Sequence, residues 1–418
     1  MLNSKSHPRL TLAATQALCE GSAFLRNLIL ARLVGADQMG IAVALALGIR
    51  IFEMAGEFGI DRLLVQVEAA ALPRMRRVIH LLQLLKGGTV TAVAILLALP
   101  VSETLNPEMD SIIFAVAALS LLIRGASNCD YRERQRSAQF RPAMIVEGGS
   151  NFLAALAAAP LAWILRDYTV LAWVLLLQAT LFCVLSHVVA THPYSVGFDR
   201  QLFRRCLRYG VPIALNGALM FLALQGDRLI VAVHFSAAEL ARFALAAQLT
   251  LLPALIGARY LLASELPRLG QLSRERAGFD DRCMGLLHRV GALAVGGALA
   301  LGITGNTLVG WLYGEAYQVT PAIFWLLAAG AGIRLIRAVP GTALMALEAT
   351  HLLFLSNLPR LLTLAAALWT VSSGGSLETL VAISVFGEAL SLGVALLALI
   401  ACRVGVAGSG DRPLMETV

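Results

Sequence analysis

Four ionisable residues lie in the otherwise apolar segment "RIFEMAGEFGID", residues 50–61. They are spaced by three, four and four residues, which places them on one stripe of a helix: Arg50, Glu53, Glu57 and Asp61. A charge inside a membrane span costs roughly 2.5–3.5 kcal/mol, so it normally faces a bundle interior or a wet cavity. Arg50 can neutralise Glu53, whereas Glu57 suits a site that binds a proton or a cation.

The composition predicts that such a cavity lies within a membrane. Of the 418 residues, 58% are hydrophobic and only 14% are charged, with a mean hydropathy of +0.76. Soluble domains are about half apolar and a quarter charged. We therefore predict an all-α integral membrane protein with about twelve spans, near residues 11–34, 39–66, 78–100, 111–131, 142–165, 169–190, 209–233, 240–263, 284–304, 319–345, 352–371 and 378–402.

The basic residues of the connections fall almost entirely on one side of these spans. That side carries Lys5, Arg9, Arg74, Arg76, Arg77, Arg132, Arg134, Arg136, Arg141, Arg200, Arg204, Arg205, Arg208, Arg268, Arg274, Arg276, Arg282, Arg403 and Arg412. The opposite connections offer Arg166 and several acids. The positive-inside rule predicts that both termini are cytoplasmic. Arginines spread over many short loops favour lipid head groups as partners and argue against nucleic acid.

Two pairs of stretches, each pair about 200 residues apart, show weak internal similarity. "RNLILARLVGADQMGIAVAL", residues 26–45, aligns with "DRLIVAVHFSAAELARFALA", residues 227–246, and "FAVAALSLLIR", ending at Arg124, aligns with "FWLLAAGAGIR", ending at Arg334. The repeat predicts two six-helix lobes, residues 1–200 and 201–418, around a central cavity that opens to one side at a time.

Polar groups deep in other spans indicate the charge of that cavity. The basic ones outnumber the acidic ones: Arg26, Arg50, Lys86, Arg124, Arg228, Arg259, Arg334, Arg337 and Arg360 against Glu20, Glu53, Glu57, Glu147, Asp227 and Glu388. This excess favours an anionic substrate. The alternative for any single charge is a structural ion pair or a side chain that snorkels to the membrane surface.

Several motifs resemble the polysaccharide flippases of the Wzx type. "FLRNLILARLVGADQMG" resembles their first helix and external turn, "EFGIDRLLVQ" the end of the second helix, "LQGDRLIVAVHFSAAELARFALA" the seventh and eighth helices, and "LVGWLYGEAY" the turn after the ninth. That family belongs to the multidrug/oligosaccharidyl-lipid/polysaccharide (MOP) exporter superfamily. The turn "LVGADQMG" lacks the aromatic residue that the family usually has before its second glycine.

The resemblance implies a flippase that moves undecaprenyl-pyrophosphate-linked oligosaccharide to the periplasmic leaflet of a bacterial inner membrane. Guanidinium groups bind phosphate bidentately, so we expect the substrate cavity to include the following residues: Arg26, Arg50, Lys86, Arg124, Asp227, Arg228, Arg334 and Arg337. Glu53, Glu57 and Asp227 are the candidates for a coupling proton or sodium ion. No catalytic group, cofactor or metal site is expected.

Three other functions fit a multi-spanning chain. A multidrug antiporter of the same superfamily is the nearest alternative, although cationic drugs favour an acidic cavity. A peptidoglycan-precursor flippase of the MurJ type has fourteen spans, more than this chain can supply. A polymerase or ligase usually carries a large external loop, which this sequence lacks. The sequence contains no phosphate-binding loop, no HExxH motif and no paired-cysteine motif.

Overall fold

The computed structural model describes residues 8–55, 59, 64, 72–273 and 276–408, and the described chain consists of helices and their connections. We number the long helices in chain order. The first six are α1 (Pro8–Val34), α2 (Ala36–Ala55), α3 (Leu72–Leu96), α4 (Ser111–Gly125), α5 (Arg141–Leu165) and α6 (Thr169–Val188). The next six are α7 (Arg200–His234), α8 (Ala237–Leu272), α9 (Arg276–Leu312), α10 (Pro321–Ala346), α11 (Leu358–Ser372) and α12 (Leu377–Gly408).

These helices coincide with the spans predicted from hydropathy. Within the described residues, nine helical stretches are long and apolar enough to cross a membrane, or ten when α4 and the bent helix after it are taken as one span. Helices α1 and α2 are not among these stretches, and both carry charged residues, including Arg26 in α1 and Glu53 in α2. The predicted fold class, an all-α protein that crosses the membrane many times, is confirmed.

The chain divides into two compact units, Met1–Arg242 and Phe243–Val418. In the first unit α1 packs against α5, α6 packs against α4 and α5, and α3 packs against α4. Helix α7 packs against α2 and so belongs to this unit. The predicted lobe boundary between residues 200 and 201 stays a prediction about the internal repeat.

Helices α3 and α4 cross at two glycines. A Cβ atom on Gly125 would lie 2.6 Å from the backbone oxygen of Gln83, and one on Gly87 would lie 3.0 Å from the Cα atom of Gly125. Small residues let membrane helices approach closely where the hydrophobic effect gives no drive for association. This crossing fixes α4 just where it carries Arg124.

The chain bends sharply after α4, and the connection between α6 and α7 is held at that bend. The helices on the two sides of the bend, Ser111–Gly125 and Asp130–Ser137, differ in direction by 55°. Asp130 is fully buried and accepts hydrogen bonds from the Thr191 backbone nitrogen at 2.9 Å and the Thr191 hydroxyl at 3.1 Å. His80 of α3 bonds through Nδ1 to the Ser195 oxygen at 3.0 Å. The connection is therefore an ordered part of the first unit.

The second unit is built around α10 and α12. Helix α10 packs against α9 and α12, and α11 packs against α12. A core that includes Leu269 of α8, Phe279 of α9, Val339 of α10 and Leu399 of α12 joins four helices at one end. The short helix Thr350–Leu355 connects α10 to α11.

Candidate functional site

The first unit contains a polar cavity of about 270 Å³. Helices α2, α3, α4 and α6 and the bend after α4 supply its walls. Its charged lining residues in the described chain are Arg50, Glu53, Lys86, Arg124 and Arg132. Drug-sized ligands occupy sites of roughly 300–1,000 Å³, so this cavity has room for a compact charged group but not for a long oligosaccharide.

Glu53 holds two arginines at the cavity wall. Arg50, one turn earlier on α2, donates through Nη1 to Glu53 Oε2 at 2.6 Å. Arg124 of α4 donates through Nη1 to Glu53 Oε1 at 2.7 Å. The pairing of Arg50 with Glu53 confirms the sequence prediction. The bond from Arg124 joins a second helix, α4, to this ion pair.

Two aromatic rings lie behind the arginines. The guanidinium carbon of Arg124 lies 4.9 Å from the centre of the Phe182 ring, and that of Arg132 lies 5.2 Å from the centre of the Tyr131 ring. The two rings meet edge to face at 5.9 Å. Cation–π contacts of this kind orient a guanidinium group while leaving its N–H donors available.

A π-helical segment of α5 supplies a further acid near the cavity. Residues Met144–Gly149 form this segment, and Glu147 within it lies 2.6 Å from the Nη2 atom of Arg132. π-Helical turns occur often at functional sites because the extra residue shifts side chains out of the regular helix pattern. Here the shift accompanies an ion pair between α5 and the bend after α4.

The charge balance of the cavity is strongly positive. Four described lining residues are basic and one, Glu53, is acidic. Half of the Arg50 side chain and more than a third of the Arg124 side chain are exposed, at 53% and 38%. Their donors can therefore reach a ligand in the cavity. Such an arrangement binds anions, phosphate above all.

A second charged cluster lies inside the second unit. Glu388 of α12 pairs with Arg334 and Arg337 of α10 and with Arg360 of α11. Arg337 also donates through Nη1 to Asn357 Oδ1 at 2.7 Å. The Glu388 side chain is only 4% exposed and that of Arg360 is 6% exposed, whereas those of Arg334 and Arg337 are 14% and 17% exposed. The cluster joins three helices and, in contrast to the first unit's cavity, its donors are turned inward.

Each of the two clusters contains an arginine from the predicted internal repeat. Arg124 in the fourth helix and Arg334 in the tenth are the aligned ends of the repeated segment, and each pairs with a buried or half-buried carboxylate. The acids come from different positions, Glu53 on the second helix and Glu388 on the twelfth. The position of the arginine thus agrees with the predicted repeat, whereas the acid is particular to each unit.

The remaining sequence-predicted residues lie elsewhere. Arg26 is half-buried on α1 and does not line the cavity, although Arg50 is near enough to act on it electrostatically. Asp227 and Arg228 are half-buried on α7, where Arg228 donates to Gln225 Oε1 at 2.8 Å. Glu57 falls outside the described residues. Among the described residues, no group of three His, Cys, Asp or Glu side chains could hold a metal ion.

Sequence reasoning missed several residues of both clusters. Arg132 was predicted to orient the protein from a cytoplasmic connection, yet it lines the cavity because the chain bends after Gly125. The segment "RGASNCD", residues 124–130, holds the only local signal, a run of small and polar residues that interrupts an apolar span. Glu388 and Arg360 were recognised as deep charges but not as partners of Arg334, because helical periodicity does not identify the neighbouring helix.

The fold is similar to those of solved membrane transporters. A lipid II flippase, MurJ, in an inward closed conformation matches with a TM-score of 0.74 at 12% identity, over 96% of this chain and 93% of that one. An inward-facing multidrug resistance MATE transporter of the MOP superfamily matches at 0.67 and 13%, over 97% and 99%. A MOP superfamily transporter from Pyrococcus furiosus, described as having a binding pocket of reversed polarity, matches at 0.54 and 12%, over 96% of each chain.

A search of curated protein sequences finds no match. The sequence does, however, match the model of a protein family. Residues 29–321, more than half of the chain, match the family described as polysaccharide biosynthesis protein. The predicted relation to a polysaccharide biosynthesis family is thereby confirmed, and the predicted fold is similar to those of the solved transporters. The chain belongs to the polysaccharide biosynthesis protein family.

Proposed function

We propose that this protein flips an undecaprenyl-pyrophosphate-linked oligosaccharide from the cytoplasmic to the periplasmic leaflet of a bacterial inner membrane. The observation that carries the proposal is the cavity of the first unit, with four basic lining residues around one acid. A pyrophosphate needs several convergent donors that remain charged inside a membrane, and arginine meets that need. The product serves exopolysaccharide, capsule or O-antigen synthesis.

The proposed mechanism is alternating access. The cavity takes the charged head of the substrate, and its size of about 270 Å³ suits the pyrophosphate with the first sugar at most. The polyprenyl tail stays in lipid. Moving an anion outward across an interior-negative membrane is favourable by about 2.3 kcal/mol per charge per 100 mV, so the membrane potential alone assists export.

Coupling to a proton or sodium ion remains a second part of the proposal. Of the three candidates, Glu53 has both carboxylate oxygens bound to arginines. A cation there would have to compete with two guanidinium groups. Asp227 on α7 and Glu57 are the other two candidates. Asp227 does not line the cavity, and Glu57 falls outside the described residues.

The orientation and organisation follow from the sequence. The arginine distribution supports cytoplasmic termini, and the internal similarity supports two repeats of six helices, residues 1–200 and 201–418. We propose that the protein is a transporter that works without catalytic residues, a cofactor or a metal. Its partners are the lipid-linked oligosaccharide and the surrounding lipids. The sequence also predicts Arg26, Asp227, Arg228, Arg334 and Arg337 as substrate-binding residues, and their role stays a prediction.

The test is transfer of a fluorescent undecaprenyl-pyrophosphate oligosaccharide across proteoliposomes under an imposed potential or pH gradient. We expect Arg124→Ala to slow transfer at least tenfold, because two or more phosphate contacts are lost at about 1.4 kcal/mol per factor of ten. Arg166→Ala is the matched control. Arg166 is an exposed arginine on a connection, where it donates to the Trp163 oxygen. Its loss should change the rate less than twofold.

Two results would overturn the proposal. One is equal transfer by Arg124→Ala and wild type. The other is no transfer by folded wild-type protein together with extrusion of a cationic dye, which would favour the multidrug antiporter.

A further inference from the structure

Glu53 already occupies two of the donors that an anionic ligand would use, one from each of two arginines. Arg50 and Arg124 each point one Nη1 donor at a different oxygen of this carboxylate, at 2.6 and 2.7 Å. A phosphate oxygen bound by the same two Nη1 donors would take the place of a Glu53 oxygen. The cavity thus contains its own anion, the Glu53 carboxylate on α2.

The geometry makes this exchange accessible. The Arg50 and Arg124 side chains are 53% and 38% exposed, so a ligand can approach them from the cavity. Lys86 lines the same cavity and is near enough to act electrostatically on Glu53. When an incoming anion takes these donors, Lys86, which already acts on Glu53, remains close to the displaced carboxylate. The charge of Glu53 is then never left alone, which avoids the cost of an uncompensated charge.

We infer that Glu53 is an internal competitor for the anion site: it pairs with Arg50 and Arg124 when the cavity is empty, and it drives release by reclaiming them. That the natural ligand is a lipid pyrophosphate rests on the proposed function. The exchange itself concerns any phosphate-bearing group. A transporter needs such a device, because arginines that bind an anion tightly and have no alternative partner would hold it and stop turnover.

The second unit shows the contrasting case. Glu388 also holds arginines, but its side chain is 4% exposed, and a ligand would have to enter the packed interior of α10, α11 and α12 to replace it. Of these two acids, only Glu53 is therefore assigned the role of internal competitor.

The experiment is isothermal titration calorimetry of the full chain in nanodiscs with inorganic pyrophosphate. Wild type, Glu53→Gln and Glu265→Gln are compared, with inorganic phosphate as a second probe. Glu265 is the matched control because it likewise contacts two arginines, Arg268 at 3.2 Å and Arg282 at 2.7 Å, but does not line the cavity. Both substitutions remove one negative charge. Thermal unfolding of each variant verifies that it is folded.

We expect Glu53→Gln to lower the Kd for pyrophosphate at least tenfold and to slow its dissociation, while Glu265→Gln changes the Kd less than twofold. Binding by Glu53→Gln in the absence of measurable wild-type binding would also support the inference. Equal or weaker binding by Glu53→Gln, an equal gain in Glu265→Gln, or no binding by either protein would overturn it.

A transport measurement separates this inference from the proposed function. Glu53→Gln in proteoliposomes should bind substrate more tightly and turn over more slowly than wild type, and its rate should still respond to the imposed gradient. Loss of the gradient response without tighter pyrophosphate binding would instead make Glu53 the coupling site. If wild type binds pyrophosphate with the expected variant pattern but moves no lipid-linked oligosaccharide, the proposed substrate fails and the exchange stands.

Discussion

Replacing Glu388 by glutamine should strongly destabilise the second unit without changing the size of any side chain in its core. The substitution keeps the shape of the side chain and removes its charge. The affected partners are Arg334, Arg337 and Arg360. Removing one partner of a buried ion pair typically costs about 3–5 kcal/mol, because the other charge remains buried and uncompensated.

The burial of the cluster decides the magnitude. At 4% exposure of the carboxylate, solvent screens the lost attraction very little, so the full range applies. We expect a loss of about 3–5 kcal/mol in the free energy of unfolding, measured by SDS titration in mixed micelles. Glu378→Gln is the control on the same helix. Glu378 is exposed and accepts one hydrogen bond, from Thr320 Oγ1 at 2.8 Å, so its loss should cost about 1 kcal/mol or less.

A double substitution tests the cause. If repulsion among unpaired arginines produces the loss, Arg360→Gln combined with Glu388→Gln should recover part of it, and the two changes should be non-additive by about 0.5–3 kcal/mol. A Glu388→Gln protein within about 1 kcal/mol of wild type would refute the reasoning. It would show that the three guanidinium groups find adequate compensation elsewhere.

Two further predictions concern the framework of the first unit. Gly125→Ala should destabilise the protein by about 1–3 kcal/mol in the same titration, because the added Cβ would lie 2.6 Å from the rigid backbone oxygen of Gln83. Gly88→Ala, whose nearest neighbouring atom is 4.0 Å away, should cost nothing, and equal costs for both would contradict this packing argument. Asp130→Ala should raise the amide exchange rate of Thr191 at least tenfold in hydrogen–deuterium exchange, because it removes the acceptor of that backbone N–H group. Unchanged exchange would mean that other contacts hold the connection.

The spans could be predicted from the sequence because membrane insertion imposes a strong, local requirement. Each span needs about 20 apolar residues, and the backbone must satisfy its hydrogen bonds within the helix. The helices α3 to α12 accordingly lie where the hydropathy places them, to within several residues. The bend after Gly125 was not predicted, because it depends on a short polar interruption, residues 126–129, that is stabilised by contacts with distant segments.

The candidate site could be predicted only in part, and the limit is geometric. Helical spacing shows that Arg50 and Glu53 share a face, and the structure pairs them. Spacing does not show which helix lies opposite that face. The bond from Arg124 to Glu53 joins residues 71 positions apart, and the Glu388 cluster joins three helices. These pairings follow from the packing of the unit, which a single sequence does not specify.

The low sequence identity to the solved transporters is consistent with this difference between the apolar spans and the charged residues. A lipid-facing or core position accepts almost any apolar residue, so sequences can diverge to 12% identity while the fold persists at a TM-score of 0.74. Charged residues inside the bundle do not exchange so freely, since each costs roughly 2.5–3.5 kcal/mol to insert and needs a partner or water. They persist where the cargo or the packing requires them. When one fold serves proteins with different cargoes, the sign and accessibility of the interior charges discriminate function better than the fold does. Here the accessible charges are arginines and a lysine around one carboxylate, which suits an anionic cargo and supplies the group that can release it.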